Sequence, residues 1–441
     1  MNFLEVSMKY SNYVKKILFE EINKLNENRN EFLKNPGKDF SKIRKLDFST
    51  MLKIILSMET DSLKDELFRY FDFLPSTASV SAFVQQRSKI LFTAFESLFH
   101  SFNNRFDDHK LYKGYRLLAI DGSTIPISFD RNDISTFMSN GDRAKGSNSI
   151  HLNAQYDLLT HLYTDVIIQP NAQMNEHEAF VSMINRYSNK YKAIFISDRG
   201  FESFNSFEYV NKSENKYLVR IKDIDSNGIL KNLILPQTPE FDTDIHVVLT
   251  KKQTKEVKAN KHLYKFLSSS SKFDFIDEDN PFYEMNFRVV RIKVYGDTYE
   301  CIATNLERES FSINEIKELY NLRWGIETSF RELKYSVGLN SFHCKKREFI
   351  YQEIYARIIL YNFSERIIQK TVIKKNKKRK YAYQINFTRA FHICRYFLMF
   401  RGRRHPPDVE VLISSEVLPI RPERTFKRDL KPKRYVYFVY R

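Results

Sequence analysis

The spacing of apolar residues along the chain changes character near residue 105. Up to that point apolar residues recur at helical intervals, and one predicted helix begins at Ser62 with Glu66 in its first turns. A turn at residues 74–77 precedes a second, polar helix, which contains Gln85, Gln86, Arg87 and Lys89. We therefore expect residues 1–105 to form a helical, DNA-binding domain. The two helices are typical of a helix-turn-helix unit or of an ordinary helical hairpin, and their loose spacing leaves both open.

Strand-like runs replace the helical pattern from residue 106 onward. Short apolar stretches bounded by turn residues predict three strands, one helix and two further strands, in order at residues 115–120, 151–156, 162–168, 175–188, 192–197 and 216–221. This succession predicts an α/β fold with a mixed sheet. We assign residues 106–222 to the first part of that core.

The pattern then changes twice more. Residues 223–305 combine turn clusters with strand-like runs, and we expect them to form a β-rich insertion. The core is expected to resume over residues 306–370. There, Ser312 and Glu315 form a capping-box pattern in front of one helix, and residues 351–370 predict another long helix.

Positive charge is concentrated toward the end of the chain. The 441 residues contain 71 Lys and Arg against 54 Asp and Glu, a net charge of +17, and residues 371–441 alone hold 19 Lys and Arg against 5 Asp and Glu. We assign this range as a basic C-terminal segment. Such an excess suits a polyanion such as DNA. A solubilising tail, or binding to an anionic membrane surface, also remains open.

Cysteine usage and hydropathy exclude several classes of protein. Cys301, Cys344 and Cys394 are far apart and form no CxxC pair or Cys/His cluster, which argues against zinc and disulfide scaffolds and fits a reducing compartment. No apolar run approaches about 18 residues, and the first residues lack a basic stretch followed by an apolar one. We therefore expect a cytoplasmic protein with no membrane span and no signal peptide.

Two aspartates follow apolar strands directly. Asp121 comes after residues 117–120, and Asp198 comes after residues 193–197, each in front of a glycine-containing turn. Functional groups of open α/β sheets gather at strand ends, so the two carboxylates meet if the strands are neighbours. Taken singly, each residue is also explained as a turn residue or a helix N-cap.

A third carboxylate lies on a helix with an unusual polar face. Positions along this helix step by 3, 4, 4 and 3 residues and therefore share one face; they are Tyr320, Arg323, Glu327, Arg331 and Lys334. A neighbouring stripe is apolar and is expected to be buried; it contains Leu319, Leu322, Ile326, Phe330 and Leu333. Taken alone, the polar face is also explained as a solvated surface with ordinary ion pairs.

The three carboxylates together predict a metal site. Asp121, Asp198 and Glu327, with no His or Cys among them, supply oxygen ligands of the kind that Mg²⁺ or Mn²⁺ prefers and zinc does not. Two such ions, roughly 3.5–4 Å apart, activate an attacking oxygen and stabilise the leaving oxygen in phosphoryl transfer. The predicted chemistry is phosphodiester cleavage.

These motifs give the chain a family resemblance. Tyr320, Arg323, Glu327 and Lys334 match, position for position, the pattern of bacterial insertion-sequence transposases of the insertion-sequence-four type. The Asp121–Gly122 step and residues 198–201 (Asp-Arg-Gly-Phe) fit that family as well, and the resemblance covers about residues 110–345. The family is of the DDE class with an RNase H-like core and a β-rich insertion between the second Asp and the Glu.

The resemblance implies specific roles. Asp121 would bridge two metal ions, and Asp198 and Glu327 would each hold one. Tyr320, Arg323 and Lys334 would grip DNA phosphates near the cut, with Arg331 as an additional phosphate contact; all four are DNA-binding candidates. The reaction would release a 3′-OH at the end of the element and join it to target DNA. The implied partners are double-stranded DNA, at terminal inverted repeats and at the target, and a second copy of the chain in a nucleoid-associated synaptic complex.

The kind of activity remains open at this level. The chain is predicted to be an active transposase, but a catalytically silent DNA-binding repressor or a nuclease of the same fold shares most of its features. Intact Asp121, Asp198 and Glu327 favour the first. Trp324, the single tryptophan, is expected to pack beside the site rather than to stack on a base.

Overall fold

The computed structural model describes residues 9–42, 44–139, 146–373, 381–400, 407–421 and 439–440. Tyr295, Val439 and Tyr440 are described by their backbone alone. The charge run at residues 374–380 and most basic positions near the end of the chain lie outside the described residues.

The first part of the chain is helical, as predicted. Its helices are α1 (Tyr10–Glu27), α2 (Phe48–Ser57), α3 (Leu63–Tyr70), α4 (Val80–Arg87) and α5 (Thr93–Asn104). Short polar side chains start three of them: Asp47, Ser62 and Ser79 each accept a backbone N–H three residues later. The predicted helix start at Ser62 is therefore confirmed.

The second polar helix does not present its charged side chain to solvent. Arg87, at the end of α4, is 1% exposed, and its guanidinium donates to Gln352, to Glu353 and to the carbonyl of Phe349. Gln86 is also buried. Arg87 is buried by partners far away in the sequence, so it and Gln86 do not add to an exposed polar face of this helix. The choice between a helix-turn-helix unit and an ordinary helical hairpin stays open.

A mixed sheet organises the middle of the chain. Its strands are β1 (Arg116–Ile127), β2 (Phe137–Met138), β3 (Ser147–Asp157), β4 (Leu162–Pro170), β5 (Ala193–Ser197), β6 (Lys216–Ile221), β7 (Phe241–Thr250), β8 (Tyr264–Phe266), β9 (Phe282–Tyr295) and β10 (Thr298–Thr304). The strand order is β2-β3-β1-β5-β6-β10-β9-β7-β8, and β4 pairs with β3. Three helices lie between these strands: α6 (Glu176–Arg186), α7 (Phe204–Lys212) and α8 (Lys255–Ala259). The predicted α/β class with a mixed sheet is confirmed.

The strand-rich stretch predicted at residues 223–305 continues the same sheet. Its last strand, β10, pairs antiparallel with β6, with Thr304 opposite Leu218. Strands β9, β7 and β8 then follow outward from β10. The insertion is therefore an extension of the core sheet, and its boundaries remain a prediction.

Helices dominate the rest of the described chain. The elements are α9 (Ile313–Leu322), α10 (Trp324–Tyr335), β11 (Ser341–Phe342), α11 (Arg347–Lys370), β12 (Tyr383–Ile385), α12 (Phe387–Met399), α13 (Val409–Ser415), β13 (Val417–Pro419) and β14 (Val439–Tyr440). The capping box at Ser312 and Glu315 is formed, and α11 is buried along most of its length. Buried residues of α12 and α13, such as Phe391 and Ile413, belong to the main core. The basic segment is therefore not only a tail.

The sheet separates two hydrophobic cores. Alternate residues of β1 point to opposite faces: Leu117 and Ala119 join a core with the N-terminal helices, α10, α11 and α12, whereas Leu118 and Ile120 join one with α6 and α7. The N-terminal helices thus share a core with the sheet, and the boundary predicted near residue 105 remains a prediction. No helix in the described part of the chain is long and apolar enough to cross a membrane.

Candidate active site

Parallel pairing of β1 and β5 brings two of the predicted carboxylates side by side. The register places Ile120 opposite Ser197, so the next residues, Asp121 and Asp198, lie next to each other where the pairing ends. Asp198 then starts a short 3-10 turn, and its Oδ1 accepts the N–H of Gly200 at 2.7 Å. The prediction that these two strands are neighbours is supported by this register.

Strand β1 does not end at Asp121. It continues to Ile127 because β3 pairs with it along its whole outer part, with Gly122 opposite Asn153. The expected turn after Asp121 is therefore wrong, whereas the turn after Asp198 is present. Asp121 lies on an extended strand supported from one side only.

The helix expected to carry the third carboxylate is divided at Arg323. The N–H of Arg323 donates to the carbonyl of Tyr320, and the N–H of Ile326 donates to the carbonyl of Arg323, which is the tighter three-residue spacing. The backbone of Arg323 stays helical, with φ −50° and ψ −34°. Four of the five predicted apolar residues are buried, but Leu322, just before the division, is 42% exposed.

Arg323 links the helix to the sheet. Its Nη2 donates to Oε1 of Glu327 at 2.7 Å, and its Nη1 lies 3.7 Å from Oδ2 of Asp121. The guanidinium side chain is only 4% exposed. One buried cation therefore lies between the carboxylates of Asp121 and Glu327.

The rear of α10 is fixed by buried hydroxyl groups. Ser329 lies 2.8 Å from the hydroxyl of Tyr163 on β4, and the hydroxyl of Tyr361 on α11 donates to Glu332 at 3.1 Å. Both contacts are on the side of the helix away from Glu327. They fix the rotation of α10 and thereby the direction of the face that contains Glu327.

The electrostatics of Asp121 show an excess of negative charge. Burial raises the pKa of Asp121 to about 7, and the charges of Asp198 and Glu327 act in the same direction. The N–H of Gly122, which donates to Oδ1 of Asp121 at 2.8 Å, and the charge of Arg323 oppose this rise. A bound cation would relieve the repulsion.

The donor set fits a hard divalent cation. Asp198 and Glu327 each engage one carboxylate oxygen in the hydrogen bonds given above. The donors are all oxygen, which suits Mg²⁺ or Mn²⁺. Among the described residues, no group of three or more Asp, Glu, His or Cys side chains is close enough together to hold a metal ion. Arg323 lies between two of the predicted ligands, Asp121 and Glu327. Metal binding would require Arg323 to move.

The other predicted site residues surround this centre to different degrees. Tyr320 is 3% exposed, its hydroxyl has no hydrogen-bond partner in the described residues, and burial raises its pKa to about 12. Lys334 donates to the carbonyl of Thr124 on β1 at 2.9 Å. Arg331 is exposed. Trp324 lies beside the site, as expected, with the Arg323 guanidinium 5.0 Å from its ring, and it is 52% exposed.

Two residues near the centre were missed by sequence reasoning. Glu176, at the start of α6, has its Oε1 2.9 Å from Nε2 of His151 on β3. A Cβ on Gly122 would lie 2.2 Å from that nitrogen and 2.5 Å from that oxygen, so the pair packs directly on the backbone after Asp121. The only sequence signal was a carboxylate in the first turn of the helix that follows three strands.

A large basic cleft opens next to the site. It has a volume of about 970 Å³ and is lined by five lysines, Lys231, Lys258, Lys261, Lys265 and Lys272, and by two glutamates, Glu178 and Glu202. Glu202 follows the turn after Asp198 and accepts the N–H groups of Lys222 and Ile229, at 2.8 and 2.7 Å. This carboxylate therefore connects the wall of the cleft to the turn that follows Asp198.

Comparison with known proteins connects this geometry to a family. The sequence matches the family described as transposase DDE domain over residues 112–363. It is 24% identical over 165 residues to the transposase InsG for insertion sequence element IS4 of Escherichia coli strain K12, covering 35% of this chain and 36% of that protein. It is 21% identical over 355 residues to the transposase for insertion sequence element IS1151 of Clostridium perfringens, covering 74% and 72%.

A solved structure is also similar, a cryo-EM structure of the piggyBac transposase synaptic complex with hairpin DNA. The identity is 13% and the TM-score 0.41, over 95% of this chain and 87% of that one. The match to InsG spans about a third of that relative. Because the family match covers more than half of the sequence, the chain belongs to the DDE transposase family, which confirms the family predicted from its sequence motifs.

Proposed function

We propose that the chain is the transposase of an insertion sequence, and that it cuts DNA at the ends of the element and joins the freed 3′-OH to target DNA. Asp121, Asp198 and Glu327 are the proposed ligands of two Mg²⁺ or Mn²⁺ ions. The observation that carries the proposal is the meeting of β1, β5 and α10, where adjacent strand positions supply the two aspartates and Arg323 contacts both Asp121 and Glu327.

The residues of the chain have separate tasks in this reaction. Bound divalent ions would supply activation of the attacking oxygen and stabilisation of the leaving oxygen. Asp121 must lose its proton before it can act as a ligand, because its pKa is raised to about 7. Arg323, once released from the carboxylates, carries a planar guanidinium suited to a phosphate at the cut, and Tyr320, Arg331 and Lys334 extend that contact surface.

The basic cleft is the proposed path for part of the DNA backbone. Its five lysines lie beside the turn that follows Asp198, and the two glutamates of its lining leave a positive excess. Phosphate groups are attracted to such a surface without regard to base sequence. The homodimer, the inverted-repeat contacts and the nucleoid-associated cytoplasmic location belong to the same proposal and rest on the resemblance.

Conservative substitution of the three carboxylates tests the proposal. We expect Asp121→Asn, Asp198→Asn and Glu327→Gln each to lower Mn²⁺-dependent cleavage of an element-end duplex by at least about 1,000-fold, because each removes a carboxylate ligand of the proposed divalent ions. DNA affinity, measured by fluorescence anisotropy, should change less than about threefold. The control is Glu318→Gln, an exposed carboxylate on α9, which should cleave normally.

Strand joining separates the proposal from its alternatives. An active transposase joins the cleaved end to a second duplex, whereas a nuclease of the same fold only cuts and a silent repressor only binds. Normal cleavage by Asp121→Asn or Glu327→Gln would remove the catalytic assignment.

A further inference from the structure

Glu176 occupies a defined place on the other face of the sheet from Arg323. It is the first residue of α6, whose start is fixed by Asn175, which accepts the N–H of Glu178 at 3.1 Å. Helix α6 packs on the face of the sheet that contains Leu118 and Ile120. The side chain of Glu176 therefore lies at the edge of the sheet where β5 ends beside β1.

The carboxylate of Glu176 packs on the backbone of one glycine and close to another. A Cβ on Gly122 would come within 2.5 Å of Oε1 of Glu176, so a larger residue there would displace this carboxylate. A Cβ on Gly200 would lie 3.0 Å from Oδ1 of Asp198 and 3.9 Å from Oε2 of Glu176. The carboxylate of Glu176 therefore lies close to the backbone segments that follow both proposed metal-binding aspartates.

His151 supplies an independent observation. Its side chain is 6% exposed, and neither ring nitrogen has a hydrogen-bond partner of good geometry in the described residues. Its one close charged contact there is Oε1 of Glu176, at 2.9 Å. This contact lowers the pKa of Glu176 and keeps the carboxylate ionised. A buried imidazole without any other polar partner thus serves to orient this one acid.

We propose that Glu176 is a fourth acidic group of the active site, a positioning residue that His151 orients and that holds a water ligand of the divalent cation on the Asp198 side. The inference rests on the proposed function, since it requires a cation at Asp198. Outer carboxylates that orient the ligands of a metal change its affinity without contacting it, by about 10–100-fold on mutation. The absence of a side chain at Gly122 then leaves the space that Glu176 and His151 occupy.

Mn²⁺ binding to the full-length chain without DNA tests this inference. We expect Glu176→Gln to weaken Mn²⁺ binding by about 10–100-fold, measured by electron paramagnetic resonance of the free ion. The matched control is Glu178→Gln, which removes the same charge from the same turn of α6 and should change the affinity less than about threefold. Gly122→Ala should displace the His151–Glu176 pair and weaken binding to a similar extent, with little additional loss in the double variant.

A further variant keeps the test decisive if Glu176→Gln folds poorly. His151→Gln should weaken Mn²⁺ binding by about threefold or more. Its thermal unfolding temperature, measured by circular dichroism, shows whether the variant is folded. Equal losses in Glu176→Gln and Glu178→Gln, or wild-type affinity in both the Glu176 and His151 variants, would overturn the inference. If Asp198→Asn also binds Mn²⁺ normally, the proposed metal site itself fails, and this result distinguishes the two failures.

Discussion

At the scale of single residues, Asp121 links the chemistry of the site to the stability of the protein. Its pKa rises from 3.8 to about 7 on folding, mainly through burial. Between these pH values Asp121 is protonated in the folded chain and ionised in the unfolded chain. The stabilisation that protonated Asp121 gives to the folded state is therefore fully present below about pH 4 and is lost as the pH rises through about 7. Above pH 7, the ionised Asp121 adds repulsion within the site.

Asp121→Asn should therefore stabilise the cation-free protein at high pH, where ionised Asp121 destabilises the wild type most. At pH 8 we expect its melting temperature to exceed that of the wild type by roughly a few degrees, and the difference to disappear near pH 4. Differential scanning calorimetry in the presence of a chelator measures the melting temperatures of both proteins at each pH. Asp225→Asn, at an exposed carboxylate, is the control and should follow the wild-type curve. Parallel curves for wild type and Asp121→Asn would contradict the raised pKa.

At the scale of secondary-structure elements, a buried ionic contact joins α4 to α11. Arg87 and Glu353 lie 2.9 Å apart, and both side chains are almost fully buried. Glu353 also contacts Arg357 and His343, so the network joins the N-terminal helices to α11, the helix that follows α10. Removing one partner of such a pair leaves a buried charge with fewer partners, which costs more than the pair contributes.

Arg87→Ala should consequently destabilise the fold rather than weaken DNA contact directly. We expect the free energy of unfolding to fall by about 3 kcal/mol in urea denaturation. Gln85→Ala, at an exposed position on the same helix, should change it by less than about 0.5 kcal/mol. If Arg87→Ala kept full stability and instead lost affinity for DNA, α4 would be a DNA-reading helix, in conflict with its packing.

A contact could be predicted from the sequence when a local pattern determines it, and not when its partners lie far apart in the chain. The apolar runs before Asp121 and Asp198 are visible in the sequence, and their parallel pairing places the next residues together, so the adjacency of the two aspartates was predictable even though β1 continues beyond Asp121. The contact between Arg323 and Glu327 follows from helical spacing. In contrast, Arg87 finds its partners more than 260 residues later, and a polar helix carries no sign of them.

Register and local backbone limited the rest of the prediction. Glu176 meets His151 only because β3 and β1 pair in one particular register and α6 starts at one particular residue. The periodicity of the helix predicted to contain Glu327 could not show the tighter turn at Arg323, which leaves Leu322 exposed. Such features depend on tertiary contacts that override the local pattern.

At the scale of the whole molecule, the distribution of positive charge matters more than the net value of +17. Because α12 and α13 contribute buried residues to the main core, removing residues beyond 370 would disrupt folding as well as charge. Substitutions that leave the core intact are therefore required to locate the DNA surface. The basic cleft offers them, since Lys231, Lys258, Lys261 and Lys272 are exposed.

Replacing these four lysines with glutamine should lower both the affinity for duplex DNA and its dependence on salt. Each phosphate contact contributes about 0.9 to the slope of log K against log salt concentration, so a loss of about two to four units is expected if the cleft follows the backbone. The matched control replaces Lys113, Lys190, Lys192 and Lys212, which pair with carboxylates near the opposite, starting ends of the parallel strands. Anisotropy titrations at several salt concentrations compare the two variants. An equal change in the salt slopes of both variants would mean that DNA binding depends only on the overall charge of the protein. A change in the cleft variant alone would place the DNA backbone beside the turn that follows Asp198.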